Sequence, residues 1–316
     1  MQNFRTAVPI SPLEPKINHL HQLMVLGSCF SDNIGNKLQN AAFHVVVNPF
    51  GTLFNPISIS NSLNLLLTKE EFTDDDIFKN GWLWSSWAHS TLFSHMHKYA
   101  CLTNLNLQFS QAKLHLQYTD YLLLTFGTAW VYTLKSTGEI VANCHKVPAK
   151  NFLRKCLGVE EIVNAYTELL AKLKAINPEL QVILTVSPVR HFKDGAHANT
   201  ISKSILHLAV DQLRATHDFV HYFPAYEIQM DELRDYRFYT NDMLHPSTAA
   251  VDYIWKKFQD YAMLKETKEL IATIEDIRQQ EAHKSIHPNS KEDQDFKAAL
   301  ERKKQQLQQQ YPYISL

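Results

Sequence analysis

Val25-Leu26-Gly27-Ser28-Cys29-Phe30-Ser31-Asp32-Asn33-Ile34-Gly35 follows a short apolar run, Leu23 to Leu26, and leads into a segment where Ile34 and Leu38 stand four residues apart. A short apolar run is a buried strand and a spacing of four marks one face of a helix, so the stretch spells strand, tight turn, helix. A side chain at such a turn projects from the carboxyl edge of the sheet, where open α/β folds bind ligands. It also lies beside backbone N–H groups that the new helix leaves without partners. Those groups and the helix dipole favour negative charge, which the oxyanion of an acyl transfer supplies. Ser28 is therefore a candidate nucleophile. A serine in this position also serves as a plain helix N-cap, and the turn alone does not separate the two roles.

A serine nucleophile needs a base to take its proton, and the base needs a carboxylate to fix its tautomer. Asn241-Asp242-Met243-Leu244-His245-Pro246-Ser247 offers both in one turn. Pro246 biases His245 away from helical backbone angles, which holds the imidazole in a loop before a helix capped by Ser247. The alternative is that Asp242 caps a turn and His245 is an ordinary surface histidine.

Between these motifs strands alternate with helices. Phe43–Val47 is a β-branched strand, Asn48–Thr52 a loop, 56–67 helical and 70–79 a short acidic helix. Tyr121–Phe126 and Gln181–Val186 are buried strands, 159–176 and 200–217 helices, and Phe219–Tyr222 a last strand. Such alternation predicts a parallel sheet flanked on both faces, the doubly wound class. Trp130–Leu134 and Ile140–Cys144 form a hairpin around Lys135–Gly138, which can return Asn143 and His145 to the catalytic edge. Arg190, at the end of the Gln181–Val186 strand, offers five donors to a substrate carboxylate or phosphate, or else braces Glu232 or Asp235. Trp82, Trp84 and Trp87 belong to an insertion that either covers a sugar or acyl chain or forms a small core under a long loop.

With 316 residues, 45% of them hydrophobic, the chain suffices for one large domain with a tail. Its 31 Lys and Arg against 32 Asp and Glu leave a net charge of −1, so no global field draws it to nucleic acid or an anionic membrane. Met1–Ile10 lacks the order of a signal peptide and no apolar run approaches the ~20 residues of a spanning helix, so a cytoplasmic protein without a membrane span is expected. The four cysteines, Cys29, Cys101, Cys144 and Cys156, form no framework of disulfides. Cys29 is the alternative nucleophile, although one residue past the turn a cysteine usually packs as a hydrophobe. His95 and His97 offer two metal ligands and no third, so neither a metal nor a cofactor is expected. Beyond 261 the chain turns polar, with helices at 264–283 and 291–310 joined across 285–290. They pack on the domain or on a second subunit, or form a solvated tail.

Gly27-Ser28-Cys29-Phe30-Ser31 resembles the signature of the GSCFA-domain family, whose members are similar to SGNH/GDSL-like hydrolases. The resemblance extends in order through Asn48–Pro56, Leu124–Trp130, Asn143–Pro148, Val186–His191 and Asp231–Tyr239 to the Asp242/His245 turn, and covers roughly residues 5 to 260. It implies a three-layer α/β fold of flavodoxin-like topology and leaves the last fifty or so residues unexplained; the residues themselves place an insertion around 68–110 and a helical, polar extension at 261–316. It also implies that Gly51, in the loop after the second strand, donates its N–H to the oxyanion. The SGNH pattern further places an oxyanion-hole asparagine where this chain has Ala129, and Asn143 is the substitute at hand. The expected activity is that of a serine hydrolase acting on acyl esters through Ser28, His245 and Asp242. Small-molecule or carbohydrate esters, acetyl esters among them, are the implied substrates. An O-acyltransferase and a non-catalytic ester- or glycan-binding module are the alternatives.

Overall fold

The apolar runs become one five-stranded, all-parallel sheet. The computed structural model describes residues 6–283, 287, 288 and 290–315, and residues 285, 286 and 289 of the expected connection before the last helix lie outside them. Strands β1 (Gln22–Gly27) and β2 (His44–Val47) are followed by an antiparallel pair, β3 (Phe78–Asn80) and β4 (Leu83–Ser85), and then by β5 (Tyr121–Phe126). Next come β6 (Trp130–Leu134), β7 (Ile140–Val141), β8 (Phe152–Cys156), β9 (Gln181–Val186) and β10 (Val220–Tyr222). The parallel sheet runs β2-β1-β5-β9-β10. Counted along the chain this is the order 2-1-3-4-5, the flavodoxin-like arrangement, whose switch point falls between β1 and β5. Gly27 and Ser28 lie at that point.

Helices α1 (Cys29–Asn40), α2 (Pro56–Thr68), α3 (Lys98–Leu116), α4 (Val159–Ile176) and α5 (Gly195–Thr216) precede a single turn, α6 (Ala225–Glu227). Then follow α7 (Thr248–Ala262), α8 (Lys265–Glu281) and α9 (Lys291–Gln310). Side chains of a strand alternate between faces, and both faces of this sheet are covered. Met24 and Leu26 of β1 join Leu63, Leu105, Tyr166 and Leu206 from α2 to α5 on one side. Leu23 and Val25 join Phe30, Ile34, Ile254 and Phe258 from α1 and α7 on the other. Burial on both faces is why β5 is apolar but for Thr125, with all six residues buried. The last two helices close on each other through Ile274, Ile277, Leu300 and Leu307, joined by Ile314 beyond α9, and meet the domain at Ala42. A Lys304–Glu281 pair at 2.7 Å adds to that seam.

Two expectations need correction. The acidic helix at 70–79 is only a 3₁₀ turn, Asp74–Asp76, because adjacent aspartates favour caps over helix interiors and the following Phe78 is drawn into pairing with Ser85. The expected hairpin of β6 and β7 has a third strand, β8, whose Leu153, Arg154 and Lys155 all face solvent. That edge strand carries no alternation to find, and only its pairing with β6 reveals it. The insertion tryptophans take the small-core role in part: Trp87 stacks on Phe78 with ring centroids 3.7 Å apart and packs beside Phe152.

Candidate active site

The turn after β1 is held by backbone geometry that only glycine permits. Gly27 has φ +142°, and a Cβ there would lie 2.3 Å from the Thr125 carbonyl oxygen. Its N–H donates to Asn48 Oδ1 at 2.8 Å, and Asn48 Nδ2 donates to Asp32 Oδ1 at 2.6 Å. Thr52 Oγ1 donates to the other oxygen of Asp32 at 3.1 Å, so one carboxylate ties the loop after β2 to the first turn of α1. Ser28 is the N-cap of α1, its Oγ accepting from the Phe30 N–H at 3.3 Å. The capping role of Ser28 is thus real, and it leaves the hydroxyl at the carboxyl edge of the sheet, at the switch point. The residue is 1% exposed. Burial, then the Asp32 carboxylate, push the neighbouring Cys29 thiol up, which disfavours its thiolate.

Asp242 and His245 form a tightly built pair. Asp242 Oδ1 accepts from the Leu244 N–H at 2.8 Å, the His245 N–H at 3.0 Å and Thr240 Oγ1 at 2.7 Å. Its Oδ2 lies 2.6 Å from His245 Nδ1. The backbone N–H groups of His245 and Leu244, then the Thr240 hydroxyl and the imidazole, hold the Asp242 carboxyl far below the usual carboxylate range. An ionised Asp242 accepts a hydrogen bond from Nδ1–H, which leaves Nε2 as the lone-pair nitrogen of a neutral ring. The Thr240 N–H donates to the His245 carbonyl at 2.8 Å, and Ser247 Oγ caps α7 through the Ala250 N–H, as the sequence requires.

The stretch after β9 connects the two halves. The Arg190 N–H donates to the Leu244 carbonyl at 3.3 Å. The His191 ring packs edge-on to Phe54 at 6.1 Å, and the Phe54 carbonyl accepts from the N–H groups of Gly127 at 2.9 Å and Thr128 at 2.8 Å. A Cβ on Gly127 would stand 3.3 Å from Ser28 Cβ. Among the described residues no hydrogen bond joins Ser28 Oγ to His245. The His245 side chain is 47% exposed, so the imidazole lies at the open rim and the hydroxyl at the closed floor.

Two expected site residues are placed elsewhere. The Gly51 N–H donates to the Asn48 carbonyl at 2.7 Å, and Ser90 Oγ sits where a Cβ would be, so this amide closes a turn under Ser90 and is not free for an oxyanion. His145 has φ +47°, and its Nε2 lies 2.9 Å from the Ser86 carbonyl in a cluster with Phe78 and Trp87. Since β7 stops at Val141, strand alternation no longer governs where His145 points, and the ring turns into the insertion. Asn143 is the residue that reaches the edge. It lines a pocket of about 310 Å³ with Phe54, Thr128, Trp130 and His191, accepts from the His145 N–H at 2.8 Å, and its Nδ2 has no protein acceptor among the described residues. The Ser28 N–H reaches the Thr125 carbonyl at 3.3 Å, a long bond. Arg190 makes no ion pair with Glu232, which binds Lys257 at 3.1 Å, nor with Asp235, which binds Arg237 at 2.9 Å.

Two residues outside the expected set underlie this edge. Lys203 of α5 is 2% exposed, and its Nζ donates to the carbonyls of Gly127 at 2.7 Å and Ser187 at 2.6 Å, clamping the ends of β5 and β9. Burial, then the charge of Arg190, push its ammonium down to about 7. Its neighbour Ser202 accepts from the Ala129 N–H at 2.8 Å, and Ala129 is 0% exposed, so this position faces α5 and offers nothing to a ligand. The signal for Lys203 is periodicity: Asn199, Ser202, Leu206, Ala209, Val210 and Leu213 form the buried stripe of α5, and Lys203 falls on it. His191 is the second, with Nε2 closed off without a partner.

Burial, then Lys203 and His245, push His191 down to about 4, and burial with His145 pushes His89 under the Phe50 ring down to about 3. An unfolded chain protonates these rings near 6.5, so their contribution to stability is complete above about pH 6.5 and is lost as pH falls toward 4 and 3. At about 1.4 kcal/mol for each tenfold difference in proton affinity between the folded and unfolded chain, the loss is on the order of 5 kcal/mol by pH 4. Urea midpoints should therefore drop steeply between pH 7 and 4.5, with a shallower drop in His89→Gln. Equal slopes in the two proteins would remove His89 as a source.

The family model described as GSCFA family matches residues 22–258, and that of the GSCFA domain protein C-terminal domain matches residues 274–316. No curated protein matches the chain. Among solved structures, an acetyl xylan esterase (Est2A) from the rumen bacterium Butyrivibrio proteoclasticus is 12% identical, with 84% of this chain and 67% of that one covered at a TM-score of 0.39. A carbohydrate esterase family 3 protein from Talaromyces cellulolyticus is 12% identical, with coverage of 81% and 99% and a TM-score of 0.36. A family 3 carbohydrate esterase from Clostridium thermocellum is 11% identical, with coverage of 80% and 98% and a TM-score of 0.36.

Proposed function

The chain belongs to the GSCFA family, and from that premise we propose that it is a serine hydrolase of acyl esters, with Ser28 as nucleophile, His245 as general acid and base and Asp242 as the group that orients His245. The observation that carries the reading is the 2.6 Å contact of Asp242 Oδ2 with His245 Nδ1, made by a carboxylate whose other oxygen is already fixed by two backbone N–H groups and a hydroxyl. A surface histidine needs no such device. A base that must present Nε2 as acceptor does. In this reading an ester carbonyl enters above Ser28, Ser28 Oγ attacks as its proton passes to His245 Nε2, and the alcohol leaves with that proton. Water then attacks the acyl-enzyme by the reverse path, or a second alcohol does so in acyl transfer. Since Gly51 and Ala129 donate nothing to the site, the oxyanion falls in this reading to the N–H groups of Cys29 and of Ser28, the latter held only by a long bond to Thr125, and to Asn143 Nδ2. Because Ser28 is closed and not hydrogen-bonded to His245, the rim must shift toward the floor when substrate binds, as catalytic contacts often tighten only in the complex. Residues 5–260 make up the catalytic unit in this reading, with an insertion around 68–110, and 261–316 are a helical extension seated on it.

The closed floor also supports a second reading, an ester- or glycan-binding module without chemistry. A fluorophosphonate probe separates the two. The hydrolase should gain one adduct, located by peptide mass on Ser28. An adduct on Cys29 would move the nucleophile, and an unlabelled, folded protein would favour the binding module.

A further inference from the structure

Of the four arginines near this face, Arg154, Arg190, Arg234 and Arg237, Arg190 is the one without a carboxylate partner among the described residues. Arg154 is paired with Asp194, Arg234 with Asp231 at 2.7 Å and Arg237 with Asp235 at 2.9 Å. Arg190 has no carboxylate within 4.0 Å among the described residues. Its Nη1 reaches only the Met230 sulfur at 3.9 Å, and its Nε is closed to solvent with no acceptor. With Nε closed off, a ligand in the hollow that Arg190 lines meets the guanidinium at its Nη1 and Nη2 end, which can hold a planar carboxylate through two N–H···O bonds.

The surroundings narrow the ligand. Arg190 forms part of a hollow of about 410 Å³ with Phe192, Tyr236, Tyr239, Asp242 and Met243, a size suited to a small organic molecule. Its guanidinium lies 5.1 Å from the Phe192 ring centroid. Asp242 in the same wall is satisfied by His245 and by backbone N–H groups, so it does not answer the arginine. The hollow thus offers one unpaired positive fork beside aromatic and apolar side chains and beside charged groups that already have partners, Arg234, Asp235 and Asp242. It lies next to the Asp242–His245 turn, to which Arg190 is fastened by its own N–H. Such a site fits an anion with a carbon body better than a bare inorganic ion.

Resting on the ester-hydrolase reading, we propose that this hollow receives a carboxylate carried by the ester substrate, so that the protein selects anionic esters over neutral esters of equal size. Two matched pairs of probes test it, since the carboxylate belongs either to the alcohol part or to the acyl part. The first pair is 4-acetoxybenzoate against phenyl acetate. The second is mono-4-nitrophenyl glutarate against 4-nitrophenyl valerate. In at least one pair the wild type should favour the anion in kcat/KM. Arg190→Met should lower that anionic-to-neutral ratio about 10- to 100-fold, mainly through KM, as expected for loss of a charge-assisted hydrogen-bonded pair. Arg190→Lys keeps the charge without the planar edge, so it should fall in between, and it serves if Arg190→Met does not fold. Ratios that stay at the wild-type value in the folded variants would overturn the proposal.

A direct binding measurement keeps this proposal separable from the hydrolase reading. Benzoate or glutarate at constant ionic strength should raise the thermal midpoint of the wild type and leave that of Arg190→Met unmoved. Protection by inorganic phosphate without protection by either carboxylate would overturn the carboxylate assignment. If carboxylates protect through Arg190 while no ester is cleaved, the hydrolase reading fails and the pocket stands. If esters are cleaved with no discrimination and no protection, the pocket fails and the hydrolase stands.

Discussion

Ser28→Ala will reduce turnover of the best ester substrate by about 10⁶-fold, the scale of loss when a serine triad is deprived of its nucleophile. The substitution removes one oxygen and also an N-cap, since Ser28 Oγ accepts from the Phe30 N–H. Loss of a cap costs about 1 kcal/mol, too little to unfold a domain with two well-filled layers beside its sheet, so the loss of rate can be measured on folded protein. His245→Ala should be about as damaging, and the double variant little worse than either, because the hydroxyl and the imidazole act as one unit. The comparison is made by steady-state kinetics on an ester that the wild type demonstrably cleaves. Wild-type rates in a folded Ser28→Ala, His245→Ala double variant would end the triad assignment and leave the binding-module reading as the better one.

Asp242→Asn should lower kcat by up to about 10⁴-fold while leaving the turn folded. The replacement keeps an oxygen able to accept from the Leu244 and His245 N–H groups and from Thr240, which now bond Asp242 Oδ1. What changes is the atom opposite His245 Nδ1, where Oδ2 lies at 2.6 Å. An amide NH₂ there donates to Nδ1, which forces the ring proton onto Nε2 and abolishes the acceptor that Ser28 requires. A neutral amide also no longer stabilises the imidazolium formed during attack. Unchanged thermal stability with a collapsed kcat is the expected pair of results. Retention of more than a tenth of wild-type kcat would show that Asp242 only braces a turn.

The parts of this site that were legible in the sequence are those made by neighbours in the chain. Gly27-Ser28 after an apolar run, Asp242 three residues before His245, and Ser247 before α7 each carry their meaning within a few residues, and the structure forms the turn, the pair and the cap at those places. The doubly wound class followed likewise from alternating periods of two and 3.6, because covering both sheet faces demands apolar strands and striped helices.

The roles of Gly51 and His145 were not legible there, because they depend on residues brought in by the insertion: Ser90 lies over Gly51, and the Ser86 carbonyl faces the His145 ring. Lys203 is a further case. Its place on the apolar stripe of α5 is visible in sequence, but its acceptors are carbonyls of Gly127 and Ser187, from the ends of two different strands. By itself the chain determined its layers, its turn and its Asp–His pair, since periodicity, capping and short-range hydrogen bonds are set over one or two turns of backbone. Only the tertiary structure decided that the Gly51 N–H is taken, that the His145 ring turns to Ser86 and the His191 ring to Phe54, and that Arg190 has no carboxylate partner among the described residues. Each of those depends on an acceptor or a covering side chain that folding brings in from elsewhere in the chain, and no local pattern encodes it.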